Sequence, residues 1–301
     1  MTNDDSTRES REAHGTHEKS GMQEKRESQS PDTDARACAI EAAHWCMTRA
    51  VSAPDRARSS LNSITILTGA GISAESGLAT FRGPDGLWEG HRVEDVATPE
   101  AYRRDPQLVH TFYNQRRARL RDPSISPNAA HRALGELASK WPAPVRLITQ
   151  NVDDLHERGG VRDVIHMHGE LTKVRNDRSE EVFSWDGECW PETPCPRTGE
   201  THALRPHIVW FGEEIMETER IAEALEEPSI FLCIGTAGAV WPAAGFVQEA
   251  KARGAVCVEL NLERTQITDH FDRFVPGRAS ITLPAFIDAL LHSAQRQPCT
   301  R

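Results

Sequence analysis

A repeated alternation narrows the possible folds of this chain more than any other feature. Short, uninterrupted apolar runs rich in β-branched residues occur at Ile64-Thr65-Ile66-Leu67-Thr68, Val145-Arg146-Leu147-Ile148-Thr149, Val164-Ile165-His166, Ile230-Phe231-Leu232-Cys233-Ile234, Ala255-Val256-Cys257-Val258-Glu259-Leu260 and Ser280-Ile281-Thr282-Leu283. Helical periodicity is expected between them, over 105–121, 129–140, 217–227, 242–253 and 284–295. Strands apolar on both faces and separated by amphipathic helices predict an α/β fold, a parallel sheet with helices on both faces. A further helix, with Ile40, Ala43, Trp45, Cys46 and Ala50 on its apolar side, is expected from residue 37. Residues 176–205, with Pro191, Pro194 and Pro196, break the alternation and read as a small inserted module. Residues 83–104 read as a long loop followed by short helices.

Composition limits the partners. The chain has 301 residues, 45 acidic against 35 basic, for a net charge of −10. That balance argues against nucleic acid or an anionic membrane as a partner, since both repel it. No apolar run approaches the roughly 18 residues that a membrane helix needs. Seven scattered cysteines, an odd number, predict free thiols and a reducing, cytoplasmic compartment. The first 36 residues contain no Val, Ile, Leu, Phe, Trp or Tyr and read as a disordered tail. They lack the apolar segment of a secretory signal, and their nine acids do not suit a transit peptide.

Chemistry-bearing residues gather just past the predicted strand ends, where open parallel sheets bind ligands. Gly69-Ala70-Gly71 follows the first strand and is expected to open a helix, with Ser73, Ser76, Thr80, Phe81 and Arg82 close behind. Glycines there let a backbone approach a pyrophosphate, although a tight structural turn would use the same residues. The next glycine is Gly77, so the spacing is not that of a dehydrogenase fingerprint. Gln150-Asn151-Val152-Asp153-Asp154 follows the second strand, with one acid expected to cap the helix beginning near Asp154. His166-Met167-His168-Gly169, Gly235-Thr236-Ala237 and Asn261-Leu262-Glu263 follow three others. Five polar strand ends together describe a dinucleotide cleft.

In this order, the segments Gly69-Ala70-Gly71-Ile72-Ser73-Ala74-Glu75-Ser76-Gly77, Thr80-Phe81-Arg82-Gly83, Thr149-Gln150-Asn151-Val152-Asp153, His168-Gly169, Val209-Trp210-Phe211-Gly212-Glu213, Gly235-Thr236 and Asn261-Leu262 resemble the sirtuins, the NAD-dependent protein deacylases. The resemblance spans roughly residues 40–292. It implies a Rossmann-like catalytic domain over 37–292, with the small module at about 170–206 and a C-terminal tail over 293–301. NAD is implied as co-substrate and acyl-lysine proteins as partners. The NAD site would be lined by Gly69, Ala70, Gly71, Ser73, Thr80, Phe81, Arg82, Trp88, Gln150, Asn151, Asp153, His168, Gly235, Thr236, Ala237, Asn261, Leu262, Glu263 and Ala279. His168 would be the catalytic base, with His166 as second choice, and Asn151 and Asp153 would hold the ribose and the attacking water. Val209, Trp210, Phe211 and Gly212 would bind the substrate peptide. The implied products are free lysine, nicotinamide and O-acyl-ADP-ribose. A mono-ADP-ribosyltransferase or NAD hydrolase is the alternative.

One feature resembles a subgroup of that family, and another departs from the family's pattern. Tyr113 and Arg116 lie three residues apart in a helical pattern and so share one face. In sirtuins that prefer succinyl- or malonyl-lysine, such a Tyr-x-x-Arg pair binds the distal carboxylate, a role that suits the planar guanidinium. The usual structural zinc, by contrast, is not expected. Between His168 and His207 only Cys189 and Cys195 are present, and position 176 is Asn. The module should then be held by packing, through Trp185, Trp190 and the prolines.

Overall fold

The computed structural model describes residues 30–51, 63–80 and 88–296. The strands are β1 (Ile64–Thr68), β2 (Val145–Thr149), β3 (Val164–His166), β4 (Gly169–Asn176), β5 (Val182–Ser184), β6 (Leu204–Ile208), β7 (Ile230–Ile234), β8 (Val256–Asn261) and β9 (Arg273–Pro276). Six of them form a parallel sheet in the order β3-β2-β1-β7-β8-β9. The other three form a separate antiparallel sheet, β5-β4-β6. The helices are α1 (Pro31–Val51), α2 (Val93–Val96), α3 (Pro99–Arg104), α4 (Pro106–Leu120), α5 (Ala129–Lys140), α6 (Leu155–Arg158), α7 (Thr218–Glu226), α8 (Phe246–Ala252) and α9 (Ala279–Gln295).

The two-sided apolar runs are explained by what covers them. Ile64, Ile66 and Leu232 face Ala43, Leu134, Phe286 and Leu290 of α1, α5 and α9. Leu67, Phe231 and Cys233 face Ile221, Leu225, Phe246 and Val247 of α7 and α8. Every residue of β1 and β7 is buried, as a strand covered on both faces requires. A third apolar cluster joins α4 to the small sheet through Phe112, Tyr113, Leu171, Ile208 and Trp210, and it forms the floor between the two parts.

Several expectations are corrected. Ser280–Leu283 is not a strand but lies in the first turns of α9, and the sheet edge is taken by β9. A four-residue apolar run has no periodicity to separate strand from helix, and Leu283 joins Phe286, Ile287 and Leu290 on the buried helix face. Gly69-Ala70-Gly71 opens two 3-10 turns, Ala70–Ile72 and Ala74–Ser76, rather than an α-helix, so the turn after β1 contributes no α-helix dipole. Helix α1 starts at Pro31, inside the stretch read as a disordered tail, and α9 runs to Gln295, into the expected C-terminal tail. The rest of the N-terminal tail, residues 1–29, lies outside the described residues, as do Phe81, Arg82 and everything after 296.

Candidate active site

Adjacent strands β1 and β7 lead away in opposite directions across the sheet, and their carboxyl ends bound the main cavity, of about 1160 Å³. This is the switch point at which parallel sheets bind ligands. Its floor depends on glycine. Gly71 N–H donates to the Gly235 carbonyl at 2.8 Å. A Cβ on Gly69 would sit 2.7 Å from Thr236 Cα, and one on Gly235, which has φ +61°, 2.6 Å from the Ile72 nitrogen. Any side chain at these positions would force the two loops apart and fill the cradle. The site residues expected from sequence line this cavity except His166, the second-choice base, and Phe81 and Arg82, which lie outside the described residues.

The two candidate histidines differ in their surroundings. The carbonyl of Gln150 lies 3.1 Å from His168 Nδ1 and can only accept, so Nδ1 carries the proton and Nε2 is left with its lone pair. Burial pushes the pKa of His168 below the ordinary 6.5, against a smaller upward pull from that carbonyl. His168 therefore stays neutral, with Nε2 able to accept a proton. His166 does not line the cavity. Its Nε2 is 2.7 Å from Glu157 Oε1 and its Nδ1 is 3.2 Å from the Asn151 carbonyl. Burial opposes its protonation, but the Glu157 carboxylate outweighs that and raises its pKa. With both nitrogens engaged, His166 is a structural ion-pair partner, and the second choice for the base is withdrawn.

Beside His168, the Asn151 amide donates to the Gly69 carbonyl at 3.3 Å and to Ser73 Oγ at 3.2 Å. Ser73 donates to Asp153 Oδ2 at 3.1 Å, and the other oxygen of Asp153 accepts from Leu155 N–H, also at 3.1 Å, as the expected cap. Burial raises the pKa of Asp153, partly offset by these two hydrogen bonds. No sequence signal points to His131, which lies against Ser73. Its Nδ1 accepts from Asn128 N–H, so its Nε2–H faces Ser73 Oγ at 3.4 Å. Burial holds its pKa at about 4, so it is neutral. On the far wall, Gln150 donates to Thr236 Oγ1 at 2.8 Å, and Asn261 donates to the Thr236 carbonyl at 2.8 Å. These bonds tie three strand ends together.

At the other end of the cavity α4 presents Tyr113 and Arg116. Tyr113 is fully buried, and its hydroxyl accepts from Trp210 Nε1 at 3.0 Å. The Arg116 guanidinium carbon lies 4.0 Å from the centre of the Trp88 ring, and its Nη1 is buried without a hydrogen-bond partner. A buried guanidinium with open donor capacity is a receptor for an anion. Trp210 is held from behind by Arg205, which stacks on its ring at 3.4 Å and forms a two-pronged ion pair with Glu213 at 2.7 and 2.9 Å.

The small module does not fit a zinc site. Among the described residues no three His, Cys, Asp or Glu side chains converge as a metal-binding group. Asn176 occupies a would-be ligand position, but its side-chain oxygen already accepts from Arg178 and Ser179 N–H, and its amide points at Cys195 Sγ, 3.5 Å away. Cys189 and Cys195 are instead core residues, packed with Val174, Ala203, Leu204, Phe183 and Trp185. Trp190, expected to share that role, does not belong to the cluster. Helix α4 anchors the module: the Asn114 side chain bonds both the N–H and the carbonyl of Cys189, at 2.9 Å each, and Arg117 donates to the Leu171 carbonyl at 2.7 Å. Elemental analysis of the purified protein should therefore find far less than one zinc per chain, and chelators should leave its melting temperature unchanged. A stoichiometric zinc would mean that Cys189 and Cys195 leave the core.

Comparison with known proteins agrees with this geometry. A family profile described as Sir2 family matches residues 69–242. A protein of Salmonella typhimurium (strain LT2) named NAD-dependent protein deacylase is 54% identical over 228 residues, covering 76% of this chain and 84% of the relative. A solved Sir2 homologue in complex with NAD superposes with a TM-score of 0.72 at 34% identity, covering 83% of this chain and 94% of that one. A Sir2 homologue variant in complex with 2′-O-acetyl-ADP-ribose superposes with a TM-score of 0.71 at 35% identity, covering 79% and 95%.

Proposed function

The chain belongs to the Sir2 family of NAD-dependent protein deacylases, and from that premise we propose that it removes succinyl and malonyl as well as acetyl groups from protein lysines. One observation carries the finer part: the same cavity joins a glycine cradle and a neutral histidine with a free Nε2 to a buried, under-satisfied guanidinium.

The residue roles follow from position and chemistry. Gly69, Gly71 and Gly235 would admit the phosphates of NAD against bare backbone, with Gln150, Thr236 and Asn261 holding the adjoining wall. Bound there, NAD would supply an electrophilic ribose carbon with nicotinamide as its leaving group. Asn151 and Asp153, fixed through Ser73, would hold the ribose hydroxyls and the attacking water. His168 would take a proton at Nε2, a step worth about 10²–10⁴-fold in rate for a placed general base. Val209, Trp210, Phe211 and Gly212 would receive the peptide, Phe211 and Gly212 being exposed at the cavity rim. Arg116 would bind the distal carboxylate of an acidic acyl group, beside the Tyr113 hydroxyl.

The compartment that suits this reading is the cytoplasm, with Cys38, Cys46, Cys189, Cys195, Cys233 and Cys257 all free. No helix among the described residues is long and apolar enough to cross a membrane. The test is mass spectrometry of the products from NAD and succinyl- or acetyl-lysine peptides. Equimolar nicotinamide, free lysine and O-acyl-ADP-ribose are expected. ADP-ribose with the acyl-peptide untouched would mean NAD hydrolysis and overturn the proposal.

A further inference from the structure

The residue facing the acyl-pocket guanidinium is itself an acid. Glu89 Oε1 lies 4.0 Å from Arg116 Nε. The Arg116 side chain is 12% exposed, so its charge is largely cut off from water and needs a counter-charge when no acidic ligand is bound. The other groups acting on it are the Tyr113 phenol and, farther into the cavity, the Asp153 carboxyl. Glu89 is also held in place at a conformational cost. Trp88 and His91 pair through reciprocal backbone hydrogen bonds at 2.8 and 3.0 Å, closing a two-residue turn in which Glu89 has φ +48° and Gly90 φ +81°. Such a turn prefers Asn, Asp or Gly at its first central position, and a glutamate there is the sort of backbone outlier that gathers at functional sites. The same turn lays the Trp88 ring under the guanidinium.

We infer that Glu89 is a specificity-determining residue, the resident counter-ion of Arg116 that lets one pocket accept both neutral and acidic acyl groups. The inference rests on the reading of Arg116 as the acyl-carboxylate receptor. With an acetyl group bound, water leaves the pocket and Glu89 is the nearest charge balancing the guanidinium, with Asp153 farther off. With a succinyl or malonyl group bound, the incoming carboxylate satisfies Arg116 and meets Glu89 as a like charge. Glu89 thereby favours acetyl and opposes dicarboxylic acyl groups, and breadth replaces strict acid preference.

The test is kcat/KM for succinyl and acetyl peptides in the wild type and in Glu89→Gln, Glu89→Gly and Arg116→Met. A single charge acting over several ångströms in a half-screened site should change each rate by roughly 3- to 10-fold. Glu89→Gln should raise the succinyl rate and lower the acetyl rate, so that their ratio rises about 10-fold or more. Glu89→Gly suits the positive φ of the turn and should give the same shift if the removed charge is the cause. An unchanged ratio in both variants, or equal losses on both substrates, overturns the inference and leaves Glu89 as a turn residue. Arg116→Met separates the two claims. Selective loss of the succinyl rate there, beside an unchanged ratio in the Glu89 variants, sinks the counter-ion alone. Equal losses in Arg116→Met, or no succinyl turnover by the wild type, sink both.

Discussion

His168→Ala should lower deacylation by about 10²–10⁴-fold while leaving the melting temperature nearly unchanged. The side chain is partly open to the cavity, and the one hydrogen bond described for it is to the Gln150 carbonyl. Its removal therefore leaves no buried charge and opens no closed void. NAD binding should persist, because the glycine cradle and the Gln150, Thr236 and Asn261 wall do not depend on it. The pH dependence carries the same signature. Burial depresses the pKa of His168, so its lone pair is available down to lower pH than for a free imidazole, and the acidic limb of kcat/KM should lie below 6.5. A limb above 6.5 would point to a group whose pKa is raised, such as His166. Near wild-type turnover by His168→Ala would remove it as the base. His166→Ala should act differently, destabilising the fold by leaving Glu157 without its 2.7 Å partner.

Arg116→Met should separate substrates rather than weaken all of them. A charge-assisted hydrogen bond to a carboxylate is worth about 1.5–3 kcal/mol, or about 10–150-fold, and a buried receptor should fall toward the upper end. Loss of kcat/KM for succinyl and malonyl peptides is expected on that scale, with acetyl peptide affected far less because it has no distal carboxylate. Methionine keeps much of the aliphatic stem and can still pack on Trp88 and Phe112, which now flank the guanidinium at 4.0 and 5.6 Å. Tyr113→Phe should show the same selectivity more weakly. It removes one hydroxyl and also leaves Trp210 Nε1 without its acceptor, so some loss of stability should accompany it. Equal losses on acidic and neutral substrates would assign Tyr113 and Arg116 to the fold and withdraw the dicarboxylic part of the proposal.

Much of this was legible from the order of residues alone. The parallel sheet followed from runs such as Ile230–Ile234, because a strand buried on both faces has no polar alternation to hide. Helix α5 was expected over 129–140 and spans Ala129–Lys140, with Asn128 supplying its cap through Ala130 and His131 N–H. The strand-end clusters fell into one cavity because parallel strands point their carboxyl ends the same way. Tyr113 and Arg116 shared a face as helical spacing requires.

Other points were decided only by tertiary contact. Whether Ser280–Leu283 extended the sheet or joined a helix depended on how Leu283 was buried, and it lies in the core cluster shared by α1, α5 and one face of the sheet. His166 and His168 are chemically identical in the sequence. A glutamate nine residues upstream, brought to 2.7 Å, engages one as an ion pair, while a carbonyl donor–acceptor match leaves the other its lone pair. His131 behind Ser73 and Glu89 beside Arg116 carry no local pattern at all, since each acts on a residue of a distant element. Periodicity and turn chemistry are properties of neighbours along the chain, so the sequence by itself determined the elements, the sheet and the strand ends. Protonation state, counter-charge and the choice between equal side chains arise from dielectric and partners across the fold, and only the tertiary structure decided them.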